Sequence, residues 1–261
     1  IIFTVNNLAF PTKNFIKKIL DHFINKFVNI FTTASQSASD KLSCVRNFKN
    51  IKAIPNTIPP KKDIKNCNIL FDEFGITRDK KIIGSVGLLT YRKGYHIFLK
   101  SIKLLKENGY NNFLVYIFGE GEERQNLEKY IDKYDLKGLV FLPGFKNNIY
   151  EYINCFDIFV LPSIGNEDFP YVNIEAMSLQ KPIIGTKVAG IPEQIIDGET
   201  GYLVEPNNVN ILQEKIKNLL DNEELAKNMG RASKKRYETN YSYENIMDQY
   251  LNLYKFFLGE E

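Results

Sequence analysis

The sequence predicts an α/β protein built on an open, doubly wound parallel sheet with helices on both faces. From Lys81 onward, runs rich in β-branched and aromatic residues alternate with amphipathic runs, a rhythm typical of parallel strands joined by helices. Hydrophobic residues make up 44% of the chain and charged residues 25%, which is ordinary for a globular protein with a buried core. Ligands of such a sheet bind beyond the carboxyl ends of its strands, so we expect functional residues in the loops that follow strands.

The larger part of the chain contains predicted strands and helices in alternation. The strands are Ile82–Val86, Phe113–Phe118, Leu139–Leu142, Ile158–Leu161, Pro182–Gly185 and Tyr202–Val204. The helices are Tyr95–Glu107, Glu122–Tyr134, Asn173–Ser178 and Val209–Leu220. Three further helix-like stretches follow Asp221, and the last of them runs Tyr243–Leu258.

A smaller αβ segment precedes Lys81. It comprises predicted strands at Ile2–Val5 and Val28–Thr32, a helix near Asn14–Phe27 and a second helix from Ser35. Three prolines within Ile54–Pro60 indicate a hinge or linker, so we expect the domain boundary there. The chain opens on a β-branched run without an initiator Met, and we expect that further residues precede it.

Composition argues against several classes of function. The net charge is +3, and no basic run interleaved with aromatic residues marks a nucleic-acid surface. Three scattered cysteines without a C-x-x-C pair, and only two histidines, argue against structural zinc and for a reducing cytoplasm. No stretch reaches the roughly 18–20 apolar residues of a membrane-spanning helix, although this leaves peripheral membrane contact open.

Two adjacent cations follow the first strand of the larger part. Arg92 and Lys93 lie in the loop Gly87–Gly94, directly before a predicted helix. Backbone N–H groups at a helix N-terminus, together with Lys and Arg, bind phosphate. A solvated turn whose basic pair has no role is an equally good interpretation of this loop alone.

The loop after the next strand resembles a dinucleotide-binding glycine loop only superficially. It reads Phe118-Gly119-Glu120-Gly121, but Arg124 stands at the position of the third glycine, and acidic residues would repel a pyrophosphate. Glycines that permit a tight strand-to-helix turn are the better explanation.

Two carboxylates follow the fourth predicted strand. Glu167 lies in the loop and Glu175 near the first turn of the next helix, so both are expected at the carboxyl edge of the sheet. Carboxylates accept hydrogen bonds from vicinal diols, which suits a sugar and a ribose. Alternatively, Glu175 simply stabilises a helix N-terminus and Glu167 is exposed. Paired carboxylates also occur in glycoside hydrolysis, but a cationic loop on the same edge favours a phosphorylated donor.

The order of these motifs resembles the family 4 glycosyltransferases, whose GT-B fold has two Rossmann-like domains facing across a cleft. The matching stretches are Val86-Gly87 with Arg92-Lys93-Gly94, Phe118–Gly121, Val140–Gly144, Leu161-Pro162-Ser163, Glu167–Met177 and Gly198–Val204. The two glutamates keep the family's separation of eight positions. Several short motifs in the correct order are much more specific than any one of them.

The resemblance implies roles for individual residues. Lys93 would grip the donor diphosphate, Glu175 would hold the ribose hydroxyls and Glu167 would meet the transferred sugar, with Arg92, Lys93 and Glu167 as the catalytic set. The implied donor-binding residues are Gly87, Arg92, Lys93, Gly119, Leu142, Glu167, Phe169, Pro170, Tyr171, Val172 and Glu175. The resemblance further implies no metal and no cofactor other than a nucleotide sugar, a UDP or GDP sugar, as co-substrate.

Two positions depart from the family's pattern. Leu88 stands where many members have an arginine directly after the first glycine, and we expect Arg92 to replace that cation. Pro170 stands where many members have glycine, and it removes a backbone N–H that could reach the donor.

The first segment resembles the end of the family's acceptor-side domain. Ala34-Ser35-Gln36-Ser37 matches a family stretch, and Asn6 takes the place of a histidine. We expect residues 1–58 to be a remnant of that domain, 59–240 the donor domain, and 241–261 a helix that packs back on the remnant, with an aromatic face at Tyr243, Tyr250 and Tyr254.

By this resemblance the chain is a retaining hexosyltransferase that acts on a sugar or lipid-linked acceptor in cell-envelope polysaccharide or glycolipid assembly. It would work in the cytoplasm at the inner face of the membrane, with peripheral membrane contact through the residues that precede it. Two alternatives stay open: a nucleotide-sugar epimerase of the same fold, and a donor-binding fragment inactive by itself.

Overall fold

The computed structural model describes residues 2–5, 15–46, 48–60, 68–77 and 79–259, and within them two parallel sheets. A three-stranded sheet has the order β1-β2-β3, and a six-stranded sheet has the order β6-β5-β4-β7-β8-β9. The strands are β1 Ile2–Val5, β2 Ile30–Thr33, β3 Ile51–Ala53, β4 Lys81–Val86, β5 Phe113–Phe118, β6 Val140–Gly144, β7 Ile158–Leu161, β8 Ile183–Thr186 and β9 Gly201–Val204.

Helices follow nearly every strand. They are α1 Phe15–Phe27, α2 Gln36–Arg46, α3 Ile69–Phe74, α4 Tyr95–Glu107, α5 Arg124–Lys133, α6 Ile149–Asn154, α7 Tyr171–Ser178, α8 Ile191–Gln194, α9 Val209–Asp221, α10 Glu223–Arg236 and α11 Tyr243–Leu258. A 3₁₀ turn at Tyr91–Lys93 precedes α4, and a π turn at Tyr237–Tyr241 joins α10 to α11. The predicted fold class, a doubly wound parallel sheet with a smaller second unit, is confirmed.

The larger sheet has a topological switch point between β4 and β7. The chain moves outward from β4 through β5 to β6 and then returns to place β7 on the other side of β4. At such a point the crossover helices diverge to opposite faces and leave a crevice beyond the carboxyl ends of the two strands. The loops after β4 and β7 are therefore where a ligand site is expected.

Both faces of the larger sheet are covered. Every residue of β5 is buried, and its side chains alternate between two apolar clusters: Val115 and Ile117 lie in one, Leu114 and Tyr116 in the other. Strands buried on both faces read as continuous apolar runs, which is why they were recognisable in the sequence.

The smaller sheet packs against α11. Ile54 after β3 forms a buried cluster with Ile246 and Leu253 of α11, and Tyr250 is partly buried against it. Tyr243 and Tyr254 stay 39% and 50% exposed, so aliphatic side chains rather than the expected aromatic face make most of this contact.

The observed elements differ from the predicted ones at a few places. The short elements β3, α3, α6 and α8 were not predicted, because three to six residues are too few to show a period. β6 continues through Pro143 to Gly144, beyond the predicted end at Leu142, because β6 is an edge strand, where a missing N–H is tolerated. α7 begins at Tyr171 rather than Asn173, directly after Pro170 as its N-cap residue. In the described part of the chain, no helix is long and apolar enough to cross a membrane.

Candidate functional site

The two predicted cations and the first predicted carboxylate meet at the switch point. Lys93 Nζ lies 2.6 Å from Glu167 Oε1, and an Arg92 guanidinium nitrogen lies 3.3 Å from the same oxygen. The side chains of Lys93 and Glu167 are only 9% and 7% exposed, whereas that of Arg92 is 43% exposed. One buried carboxylate therefore faces two cations, of which Lys93 is buried with it and Arg92 is partly exposed.

Gly94 allows the cation loop to approach the end of β7. It ends the 3₁₀ turn with a φ of 69°, in the left-handed region that favours glycine. A Cβ at this position would collide with the carbonyl oxygen of Pro162, and the Arg92 carbonyl accepts a hydrogen bond from the Ile164 amide at 2.8 Å. The loop after β4 is thus fixed against the loop after β7, which brings Arg92 and Lys93 to Glu167.

Glu167 is held by its own loop. The Ser163 hydroxyl donates a hydrogen bond to Glu167 Oε1 at 3.0 Å. The Thr186 hydroxyl, on β8, donates to the Ser163 carbonyl oxygen at 2.6 Å and so holds Ser163 in place. Asn166, before the glutamate, has a left-handed φ of 43°, and Arg92 donates to its carbonyl at 2.6 Å. The carboxylate is therefore positioned by hydrogen bonds and not only by its salt bridges.

An apolar pocket of about 300 Å³ adjoins the cation loop. It is lined by Val86, Gly87, Leu88, Phe118, Gly119, Glu120, Phe145, Lys146 and Ile149. Gly87 and Gly119 lie side by side at its base. They are so close that a Cβ on Gly119 would collide with the Gly87 carbonyl. Leu88 and Phe145 are 60% and 71% exposed, so the pocket mouth offers apolar surface to a ligand.

The remaining predicted donor residues divide into two kinds. The side chain of Phe169 is buried in one core, so only its backbone could meet a ligand, whereas the side chain of Leu142 is partly buried against the other core. Pro170, Tyr171 and Val172 form the start of α7, and Tyr171 is 53% exposed.

Glu175 has different partners from Glu167. It lies on α7 and forms a hydrogen bond with Tyr150 at the start of α6. The pKa of Tyr150 is raised, mainly by burial and next by the Glu175 carboxylate. The structure thus brings Arg92, Lys93, Glu167, Gly87 and Gly119 to adjoining places, while Glu175 belongs to a neighbouring group of side chains. Asn6, which takes the place of the family's histidine, lies outside the described residues.

Sequence reasoning missed the roles of Ser163 and Asp168. Ser163 belongs to the Leu161-Pro162-Ser163 motif, but its hydrogen bond to Glu167 has no signature in sequence spacing. Asp168 adjoins Glu167, and burial raises its pKa to about 6; the Glu167 and Glu193 carboxylates add to this effect and Lys41 opposes it. Within the described ranges, no group of three His, Cys, Asp or Glu side chains could hold a metal ion.

Comparison with known proteins identifies the family. The model of the glycosyl transferases group 1 family matches residues 68–236, well over half of the chain. The chain belongs to the group 1 glycosyltransferases. The matched range includes β4 to α10 and so contains the whole cluster of Arg92, Lys93 and Glu167.

Relatives of this group 1 glycosyltransferase support the same family and fold. The capsular polysaccharide biosynthesis glycosyltransferase CapM of Staphylococcus aureus is 32% identical over 187 residues, which cover 71% of this chain and 48% of CapM. A glycosyltransferase structure from Rickettsia africae ESF-5 aligns with a TM-score of 0.86 at 20% identity and covers all of this chain and 71% of that one. HepE of Anabaena, in complex with UDP, has a TM-score of 0.86 at 18% identity, covering 97% of this chain and 71% of HepE. The chain spans about half the length of the curated relatives it matches.

Proposed function

We propose that this chain is the donor-binding part of a retaining glycosyltransferase that transfers a hexose from a nucleoside-diphosphate sugar to an acceptor hydroxyl. The observation that carries the proposal is the cluster in which Arg92 and Lys93 converge on the buried Glu167 at the switch point. The buried Lys93 pairs with Glu167, and the partly exposed Arg92 adds a second cation beside them, so both cations could bind the oxygens of one diphosphate.

The diphosphate would lie between the cation loop and the start of α7. The first amides of an α-helix have no acceptor within the helix, so those of Tyr171 and Val172 suit phosphate oxygens. Lys93 supplies a buried point charge and Arg92 a partly exposed guanidinium, which stands in for the arginine that Leu88 replaces. Pro170 contributes no N–H, so the free backbone amides begin at Tyr171, one residue later than they would with a glycine at position 170.

The nucleoside would occupy the 300 Å³ pocket beside Gly87 and Gly119. Its apolar lining suits a flat base, and the exposed Phe145 at its mouth offers a stacking surface. UDP is bound in the HepE structure, which has the same fold, and this supports uridine diphosphate as the first ligand to test. Glu175 would accept hydrogen bonds from ribose hydroxyls and Glu167 from the transferred sugar.

Catalysis would rest on positioning and on charge stabilisation. The acceptor oxygen bonds to the anomeric carbon while the bond from that carbon to the diphosphate oxygen breaks, with retention of configuration, and the hydroxyl proton passes to the departing diphosphate. Arg92, Lys93 and the α7 amides would stabilise the negative charge on the departing diphosphate, so we expect no metal requirement. In the complete enzyme, Lys93→Ala should therefore cripple turnover.

The relatives support a role in envelope polysaccharide or glycolipid assembly, since CapM acts in capsular polysaccharide biosynthesis. Because the chain spans about half of such relatives, a donor-binding unit that turns over only with further residues is a second candidate. In both cases the chain works where cytoplasmic nucleotide sugars are available.

Calorimetry on this chain tests the donor assignment. UDP, GDP, ADP and several nucleotide sugars are titrated separately, and at least one nucleoside diphosphate should bind saturably at one site. Failure of all of them to bind would contradict the proposal. Binding without transfer to any sugar acceptor would favour the donor-binding unit over the complete transferase.

A further inference from the structure

The carboxylate of Glu193 joins the two sheets. Glu193 lies on α8, which follows β8 of the larger sheet, yet its two carboxylate oxygens accept hydrogen bonds from α2 of the smaller unit. Oε2 accepts from the Gln36 amide at 2.8 Å and Oε1 from the Ser37 amide at 2.9 Å. These amides open α2 and have no acceptor within their own helix.

These two hydrogen bonds form a charged cap that the larger unit supplies to a helix of the smaller one. A carboxylate that accepts two amides at a helix N-terminus is stabilised by its hydrogen bonds and by the helix dipole. The smaller unit supplies only part of its own cap, since Ser35 Oγ accepts from the Ala38 amide at 3.0 Å. The N-terminus of α2 therefore depends on a residue of the other unit, about 156 positions further along the chain.

Helix α8 is also fixed to the loop from Glu167 to Pro170, which we call the proposed donor loop. The amide of Gly190 donates to the Glu167 carbonyl at 2.9 Å, and Gln194 Nε2 donates to the Pro170 carbonyl at 3.1 Å. Gln194 Oε1 also accepts from Asn173 of α7 at 2.8 Å, and Gln194 is fully buried. Movement of the loop from Glu167 to Pro170 would therefore move α8.

The backbone of Glu193 is also fixed by hydrogen bonds from the side chains of Arg236 and Tyr241. Arg236 donates to the carbonyls of Glu193 and Gln194 at 2.7 and 2.9 Å, and the Tyr241 hydroxyl donates to the Glu193 carbonyl at 2.7 Å. At the N-terminus of α8, Gly190 is packed between Asp168 and Ser35, where a Cβ would collide with the Asp168 carbonyl. With its main chain fixed on both sides, α8 presents the carboxylate to α2 in one position.

We infer that Glu193 is a positioning residue that sets the placement of the smaller sheet relative to the donor loop. This inference deepens the proposed function, since it concerns how the second wall of the cleft is held opposite the donor site. Glu193 itself need not touch a substrate. Its removal should loosen the relative placement of the two units and leave the binding of a nucleoside diphosphate to the larger unit unchanged.

The test compares Glu193→Gln with the unaltered chain in three measurements. Hydrogen exchange reports the protection of the Gln36 and Ser37 amides. Spin labels at Cys44 on α2 and at Lys137→Cys on the larger unit, in a background with Cys67 and Cys155 replaced by alanine, report the distance between the units. UDP and GDP titrations report donor binding. Glu205→Gln, at the end of β9 and paired with exposed Lys187, is the matched control.

We expect exchange at Gln36 and Ser37 to accelerate roughly tenfold in Glu193→Gln. The distance distribution should broaden or shift, the nucleotide affinity should stay within about twofold, and Glu205→Gln should change none of these. Faster exchange with an unchanged distance distribution would show only a helix cap and would overturn the inference, as would unchanged exchange. If no nucleotide binds the unaltered chain, the proposed function fails, while the exchange and distance results still decide the role of Glu193.

A second variant guards against misfolding of the first. Gln36→Pro removes one donor from the opposite side of the contact, at the first helical position, where proline is tolerated. It should also broaden the distance distribution, by less than Glu193→Gln because the Ser37 amide remains. A distance distribution identical to that of the unaltered chain in a folded Gln36→Pro protein counts against the inference.

Discussion

The two ends of the same pair of neighbouring strands, β4 and β7, carry ion clusters of very different kinds. At the amino end, Lys81 lies 3.6 Å from Asp157 and 3.2 Å from Glu223, and these side chains are 33%, 39% and 55% exposed. At the carboxyl end, the Lys93 and Glu167 side chains are 2.6 Å apart and less than a tenth exposed.

The difference separates a solvated surface cluster from a site. Exposed pairs contribute about 0–1 kcal/mol to stability, so the amino-end cluster needs no explanation beyond surface charge. Burying Lys93 and Glu167 costs desolvation free energy that an ion pair often fails to offset. A buried ion pair with a second, partly exposed cation beside it is therefore better explained by an anionic ligand than by stability.

The largest expected effect is the contrast between Lys93→Ala and Lys81→Ala. Lys93→Ala should weaken nucleoside diphosphate binding roughly 100-fold, because a buried charged contact to phosphate is lost. Lys81→Ala, at the opposite end of β4, should change binding by less than about twofold. Calorimetry measures both, and equal affinities in the two variants would remove Lys93 from the site.

Glu167→Gln should separate the roles of the cations and the carboxylate. The amide keeps the shape of the side chain but removes the charge that opposes Arg92 and Lys93, so free UDP or GDP should bind about fivefold more tightly. Turnover in the complete enzyme should fall. Asp157→Asn at the amino end is the control and should leave nucleotide affinity unchanged. Weaker nucleotide binding in Glu167→Gln would mean that the carboxylate is needed chiefly to hold the cations in place.

Pro170→Gly should have a smaller effect at the same end. It adds a backbone N–H directly before α7, which should improve nucleotide-sugar affinity by about threefold. Pro182→Gly, directly before β8 and close to Lys81 and Asp157 at the amino end of the sheet, is the matched control. If both variants bind equally, the amide at position 170 does not reach the donor.

Asp168→Asn should show how much the buried charge of Asp168, at the carboxyl end of the sheet, lowers the free energy of unfolding. Burial, with the nearby Glu167 and Glu193 carboxylates, raises the pKa of Asp168 from 3.8 to about 6, so the folded chain holds a proton that the unfolded chain releases. The free energy of unfolding therefore falls as pH rises between these values, by about 1 kcal/mol after allowance for solvent screening. The variant should melt about 2–4 °C higher at pH 7.5, and the gain should vanish near pH 4.

A thermal melt series across this pH range checks that prediction. Asp157→Asn, at the solvated end, should show no such gain at neutral pH. A constant difference between Asp168→Asn and the unaltered chain at every pH would exclude titration of Asp168 as its cause.

Much of the fold was predictable from the sequence, and the geometry of the site was predictable only in outline. The long strands and helices are visible as apolar runs and helical periods, and α4 and α11 have the predicted bounds. The short α8 has no period, although it holds Glu193 and Gln194, which connect the proposed donor loop to α2 of the smaller unit.

The side-chain contacts of the site depend on tertiary structure. The sequence indicated that Arg92, Lys93 and Glu167 follow neighbouring strands, but not that a single carboxylate oxygen would serve both cations. That contact depends on the close approach of Gly94 to Pro162, and nothing in local spacing reports it. For the same reason, Ser163 and Asp168 were overlooked as neighbours of the site.

Backbone amide chemical shifts during a titration of the unaltered chain with UDP or GDP test most directly which end of β4 binds the donor. Saturable shifts should appear at Gly87, Lys93, Gly119 and Tyr171, while Lys81 and Asp157 stay unchanged. Shifts confined to the amino end, or no saturable shift with either nucleotide, would contradict the assignment of the Arg92, Lys93 and Glu167 cluster as a donor site.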